Sequence, residues 1–269
     1  MVNDMRRFLN FTCEASSLAA TVDDAAGESG LLIVSGGNEV RIGSHRGMGR
    51  LAADVAAHGH PVFRFDRRGI GDSEGENSGF EGSGPDLKAA IAAFREACPS
   101  LRRVVAYGNC DAATALLLHA PDGLAALVLS NIWAVEPDDG LPPTAAIKSH
   151  YLHRMRDPKA WAGLVTGAVN FRKLAAGLAR IATQPVSSAL SDRIARAMAN
   201  NVLEATLLLA NRDGTALAFA DIWQKPAFEA ARRSGRYHVV KYDSNAHSFA
   251  RASDYAVLRS AILERLGSR

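Results

Sequence analysis

The chain has 269 residues, 48% of them apolar, enough to bury one large core and few enough for a single domain with an insertion. Its 31 Lys and Arg nearly balance 28 Asp and Glu, and the net charge of +3 is spread without a basic block, which argues against a nucleic-acid partner. No uncharged apolar run reaches membrane-spanning length and the opening MVNDMRRFLNFTCEASS lacks the apolar core of a secretory leader, so the expectation is a cytoplasmic protein with no membrane span.

In chain order, residues 8–22 read as an antiparallel hairpin at a sheet edge. Short apolar runs at Leu31–Ser35, Val62–Asp66, Val104–Tyr107, Ala125–Ser130, Thr206–Ala210 and Tyr237–Tyr242 read as strands. Helical periodicity lies between or after them, near Arg46–Ala57, Leu87–Ala97, Ala112–His119 and Asp254–Leu266. This alternation predicts an α/β fold with a mostly parallel sheet flanked by helices. One interval breaks the rhythm. From Ala134 to Asn201 a Pro-rich opening, EPDDGLPP, precedes amphipathic stretches with no strand. It is expected to be a helical cap (134–201) inserted into a core of 1–133 and 202–269, lying over the carboxyl ends of the strands.

Cys13, Cys98 and Cys110 are odd in number and show no C-x-x-C spacing, which argues against a disulfide framework and a zinc site. No metal or cofactor is implied. Cys110 differs from the other two in its setting, Gly108-Asn109-Cys110-Asp111-Ala112, which follows the apolar run RRVVAY and opens the apolar helix AATALLLHA. A strand that turns sharply into a helix strains the central residue and demands small neighbours two positions to either side. Gly108 and Ala112 meet that demand. Such a turn lifts the central side chain above the sheet and aims the amides of the helix start at the same space, so the Asp111 amide is a candidate oxyanion donor. An inert buried thiol is the competing reading of any single cysteine, and the one expected for Cys13 and Cys98.

A cysteine nucleophile needs a histidine to hold and return the proton and an acid to orient that histidine. His247 lies in the polar loop Asp243-Ser244-Asn245-Ala246-His247-Ser248-Phe249, between the last strand and the last helix. Asp213, in Asn211-Arg212-Asp213-Gly214-Thr215 after the preceding strand, is the preferred acid, with Asp221 and Asp243 as competitors. Any of the three can instead cap a helix or turn. Gly37 or Asn38, after the first long strand, is the expected second oxyanion donor. Arg41, His45 and Arg46 follow as a small cationic group, either solvated or placed to bind a substrate carboxylate or phosphate.

Together with Asp66-Arg67-Arg68-Gly69-Ile70-Gly71-Asp72-Ser73, which looks like a D-x-R-G-x-G-x-S segment, these residues resemble the α/β-hydrolase superfamily over essentially the whole chain. The usual serine is replaced by Cys110, as in the dienelactone hydrolases. More narrowly, GGNEVRIGSHRG, GNCDAA, SHYLHRMRDPKAWAGLVTGAVNF and NRDGTALAF resemble the hydrolases associated with the exosortase A system of polysaccharide-exporting bacteria. That resemblance implies a cytoplasmic accessory hydrolase with a triad at Cys110, Asp213 and His247. The expected activity is hydrolysis of an ester or thioester through an acyl-cysteine, on a small-molecule acyl substrate that is anionic or carrier-linked in two of its possible forms. An acyltransferase using the same intermediate is the nearest alternative, and a catalytically silent binding protein of the same fold is another.

Overall fold

The computed structural model describes residues 6–134 and 189–268. Eight strands, β1 (Arg6–Cys13), β2 (Ser16–Asp23), β3 (Ser29–Val34), β4 (Val62–Phe65), β5 (Arg103–Asn109), β6 (Ala126–Ser130), β7 (Glu204–Ala210) and β8 (Tyr237–Tyr242), form one sheet. Their order is β1-β2-β4-β3-β5-β6-β7-β8. From β4 to β8 neighbouring strands run parallel, while β1 and β2 form an antiparallel hairpin that pairs antiparallel with β4. The expected edge hairpin and parallel sheet are both present.

The central strands are continuous apolar runs because helices cover both faces. Leu31–Val34 in β3, Val104–Tyr107 in β5 and all of β6 are buried. The helices are α1 (Gly47–Ala57), α2 (Gly84–Ala97), α3 (Asp111–His119), α4 (Ala189–Asn200), α5 (Gly214–Trp223), α6 (Glu229–Arg233) and α7 (Ala252–Gly267). Helices α1 and α7 pack together on one face, and α2 and α3 on the other. In α1 the buried stripe Met48, Leu51, Ala52 and Val55 has helical spacing. Each large side chain buried in this way contributes about 1.5–3 kcal/mol. Most of the expected cap lies outside the described residues. Its last stretch is α4, which buries Leu190, Ile194 and Met198 and packs on α3.

Strand order reverses at β3. The chain leaves β3 to one side to form β4 and returns to the other side to form β5. The loops leaving the carboxyl ends of β3 and β5 therefore part, and in open α/β sheets that crevice is where ligands bind. Among the described residues no helix is long and apolar enough to cross a membrane.

Candidate active site

Cys110 is the hinge between β5 and α3, with φ 60 and ψ −125, a conformation that only a constrained turn holds. Three main-chain bonds fix it: its amide donates to Ser130 O at 3.0 Å, and its carbonyl accepts from Thr114 N and Trp133 N, each at 3.3 Å. The turn closes tightly against α3. A Cβ at Gly108 would lie 2.8 Å from the Ala112 carbonyl carbon and from Ala113 N, so only glycine fits there. Cys110 is part-exposed, whereas Cys13 and Cys98 are buried.

His247 faces Cys110 from the loop after β8. Its Nδ1 lies 3.0 Å from Asp213 Oδ2, which leaves Nε2 for the sulfur. The imidazole is held up to about 10, first by the hydrogen bond to Asp213, then by the one to Cys110, with burial opposing both. Burial alone would push the Asp213 carboxyl up. Hydrogen bonds from His247 and the amides of Ala216 and Thr215 outweigh it and keep Asp213 below the ordinary carboxylate range. The loop is anchored by Ser244, whose hydroxyl donates to buried Asp254 at 2.5 Å and accepts the amide of Ala246 at 2.9 Å.

Asp213 is also the N-cap of α5, accepting Ala216 N at 2.9 Å through Oδ1. Capping and contact with the imidazole thus fall on separate oxygens of one carboxylate. The two competing acids lie elsewhere. Asp221 is exposed in the last turn of α5, and Asp243 is exposed and pairs with Arg212 at 3.0 Å.

The expected oxyanion donors divide. The Asp111 amide opens α3 beside Cys110. The Gly37 amide is occupied: it donates to Asp111 Oδ1 at 2.5 Å. The Asn38 amide has no hydrogen-bond partner among the described residues, and Asn38 lines the cleft with Cys110 and His247. Buried Arg67, which sequence reading left without a role, holds this loop from behind. Its Nη2 donates to Gly37 O at 2.6 Å and lies 3.4 Å from Asp111 Oδ2, and its Nη1 donates to Ser83 Oγ at 3.0 Å. An arginine directly after a strand, inside the D-x-R-G segment, was the available signal.

The cationic group does not assemble at the sulfur. Arg41 pairs with buried Asp66 and, at 3.0 Å, with Asp72, and it lines a separate hollow beside Arg64. His45 and Arg46 are exposed in a short turn at φ 52 and 60. The cleft at Cys110 is about 280 Å³, with Gly36, Asn38, Ser44, Met48 and Ser248 on its walls and no Arg or Lys among its described lining residues. No group of three or more His, Cys, Asp or Glu is arranged to hold a metal ion among the described residues.

No family model matches the chain, and no curated protein matches it. Solved structures do. The Pyrococcus furiosus esterase Pf2001 superposes with a TM-score of 0.67 at 14% identity, covering 99% of this chain and 93% of that one. Proline iminopeptidase of Mycobacterium smegmatis gives 0.63 at 13% identity, covering 97% of each chain. A thioesterase domain from the curacin biosynthetic pathway gives 0.56 at 13%, covering 96% of this chain and 99% of that domain. With a mostly parallel eight-stranded sheet, flanking helices and these neighbours, the chain has the α/β-hydrolase fold.

Proposed function

We propose that the chain is an acyl hydrolase that cleaves an ester or thioester through an acyl-cysteine on Cys110. The observation that carries this reading is the unbroken line from a strained, part-exposed Cys110 to His247 and on to Asp213 at 3.0 Å. A buried structural thiol needs none of these features. The esterase and the thioesterase domain among the structural neighbours support an acyl substrate, and the resemblance of GNCDAA to exosortase-associated hydrolases supports the cysteine.

As the attack begins, the proton shared with Cys110 is carried by His247, whose imidazole is held up to about 10, first by Asp213 and then by Cys110. The sulfur attacks the substrate carbonyl carbon, and the carbonyl π pair moves onto oxygen. The Asp111 and Asn38 amides face that oxyanion. Collapse re-forms the carbonyl and expels the alkoxide or thiolate leaving group, which takes the Nε2 proton of His247. His247, now neutral, removes a proton from water as the water attacks the thioester. The second collapse releases the acid, and the sulfur and imidazolium are restored. Asp213 keeps the ring in the tautomer and orientation that each transfer needs.

The reading is tested by assaying activated esters and acyl thioesters of increasing chain length with wild type and Cys110→Ala. Turnover that is lost in Cys110→Ala supports it. Undiminished turnover in that variant rejects it, and acyl products formed on an added alcohol or amine instead of water reassign the step to transfer.

A further inference from the structure

The carboxyl ends of β5 and β6 carry amide side chains that the steps above do not use. Asn109 Nδ2 donates to the main-chain carbonyl of His247 at 3.2 Å. Asn131 Nδ2 donates to the same oxygen at 3.4 Å and to Asn109 Oδ1 at 3.2 Å. Two amides and one carbonyl thus close a ring of hydrogen bonds around the backbone of the base.

The ring is tied outward into the sheet. Asn109 Oδ1 also accepts Ser130 Oγ at 2.8 Å, and Asn131 Oδ1 accepts the amide of Ala210 at the end of β7, at 3.2 Å. Asn131 is fully buried at φ 44, a conformation sparsely populated by residues with a side chain, and its own amide donates to Leu208 O at 3.0 Å. Each primary amide supplies both the donor and the acceptor that its position uses.

The His247 side chain is 39% exposed, so packing alone does not fix it. Its place depends on where its backbone is held. Asn109 is joined to Cys110 by one peptide bond, so the residue that precedes the sulfur also grips the residue that carries the base. We propose that Asn109 and Asn131 are positioning residues that set the distance between His247 and Cys110 through the His247 carbonyl. This rests on the reading of Cys110 and His247 as nucleophile and base. A displacement of about 1 Å between reacting groups costs on the order of 100-fold in rate.

The test is the pH profile of iodoacetamide alkylation at Cys110 in wild type, Asn109→Ala, Asn131→Gly, His247→Ala and the Asn131→Gly/His247→Ala double variant. Glycine is chosen at 131 because it accepts a positive φ, so only the side chain is removed. Buried Cys13 and Cys98 report on unfolding in the same samples. In folded Asn109→Ala and Asn131→Gly the Cys110 rate near neutral pH is expected to fall about tenfold or more. The profile should move toward that of His247→Ala, and the double variant should lose nothing beyond His247→Ala alone. A wild-type profile in the folded asparagine variants overturns the proposal, as does an undiminished further loss in the double variant. If Asn131→Gly exposes Cys13 and Cys98, Asn109→Ala decides alone. A His247→Ala profile identical to wild type is a different failure, that of the Cys110 and His247 pairing itself.

Discussion

Asp213 uses its two carboxylate oxygens for different partners: Oδ2 lies 3.0 Å from His247 Nδ1, while Oδ1 accepts the amide of Ala216 at 2.9 Å. The start of α5 therefore holds the acid in place for the imidazole, and the two functions separate by substitution. Asp213→Asn keeps a capping oxygen and loses the charge; Asp213→Ala loses both. Turnover should drop roughly 10²- to 10⁴-fold in each. Asp213→Ala should be about 1 kcal/mol less stable than Asp213→Asn, the difference being the missing cap. Asp221→Asn and Asp243→Asn should leave turnover within about twofold of wild type, since an exposed charge away from the site has little effect on it. Steady-state rates and urea unfolding on the four variants check this.

The His247 imidazole, lifted from 6.5 to about 10, makes stability depend on pH. A pKa raised on folding adds stability that is fully present below the unfolded value and is lost as pH rises through the folded one. Asp213, lowered on folding, adds stability that is present above its ordinary 3.8 and is lost as pH falls further. The difference in unfolding temperature between wild type and His247→Gln should thus be largest between about pH 4 and 6.5 and shrink toward pH 10. A difference that grows over that upper range would contradict the assigned direction.

Gly108→Ala should be the most damaging small change at the turn. The added Cβ meets main-chain atoms of Ala112 and Ala113 at 2.8 Å, which cannot rotate away. A loss of about 1–3 kcal/mol is expected, together with slower alkylation of Cys110 as the turn opens. Chemical denaturation and thiol labelling measure the two effects separately.

The parallel sheet was legible because strands buried on both faces are nearly pure apolar runs, as in Leu31–Val34 and Val104–Tyr107. The turn at Cys110 and the placing of Asp213 and His247 in the loops after β7 and β8 were legible because a sharp strand-to-helix turn needs small neighbours and polar residues gather at strand ends. Helix α5 was not. Its sequence, GTALAFADIW, is apolar almost all round and shows no polar face to mark it as a helix. The asparagine ring was hidden for another reason: Asn109 and His247 are 138 residues apart, and no local pattern records a bond between them. The grouping of Arg41 with His45 and Arg46 followed from sequence adjacency, whereas Arg41 turns toward Asp66.

Arg67 tests how the oxyanion loop is kept in place. It is 3% exposed and touches Gly37 O, Asp111 and Ser83. Arg67→Met should leave the Asp111 carboxylate short of its buried cation and free the Gly37 carbonyl, costing about 3 kcal/mol. If the loop positions an oxyanion donor, kcat should fall by about tenfold or more beyond any change in KM. A stability loss with unchanged kcat would restrict Arg67 to a structural part.

An acyl group carried on Cys110 would show as a gain in intact-protein mass after rapid mixing with an activated acyl ester, located by peptide mapping. Wild type should gain a single acyl mass on the peptide containing Cys110, forming faster than it decays. His247→Ala should form it at least about tenfold more slowly, and Cys110→Ala should form none. Cys110→Ser should acylate weakly if at all, because an alcohol must be deprotonated by His247 during attack. An acyl group mapped to any other residue, or product released at the wild-type rate by Cys110→Ala, would contradict the account.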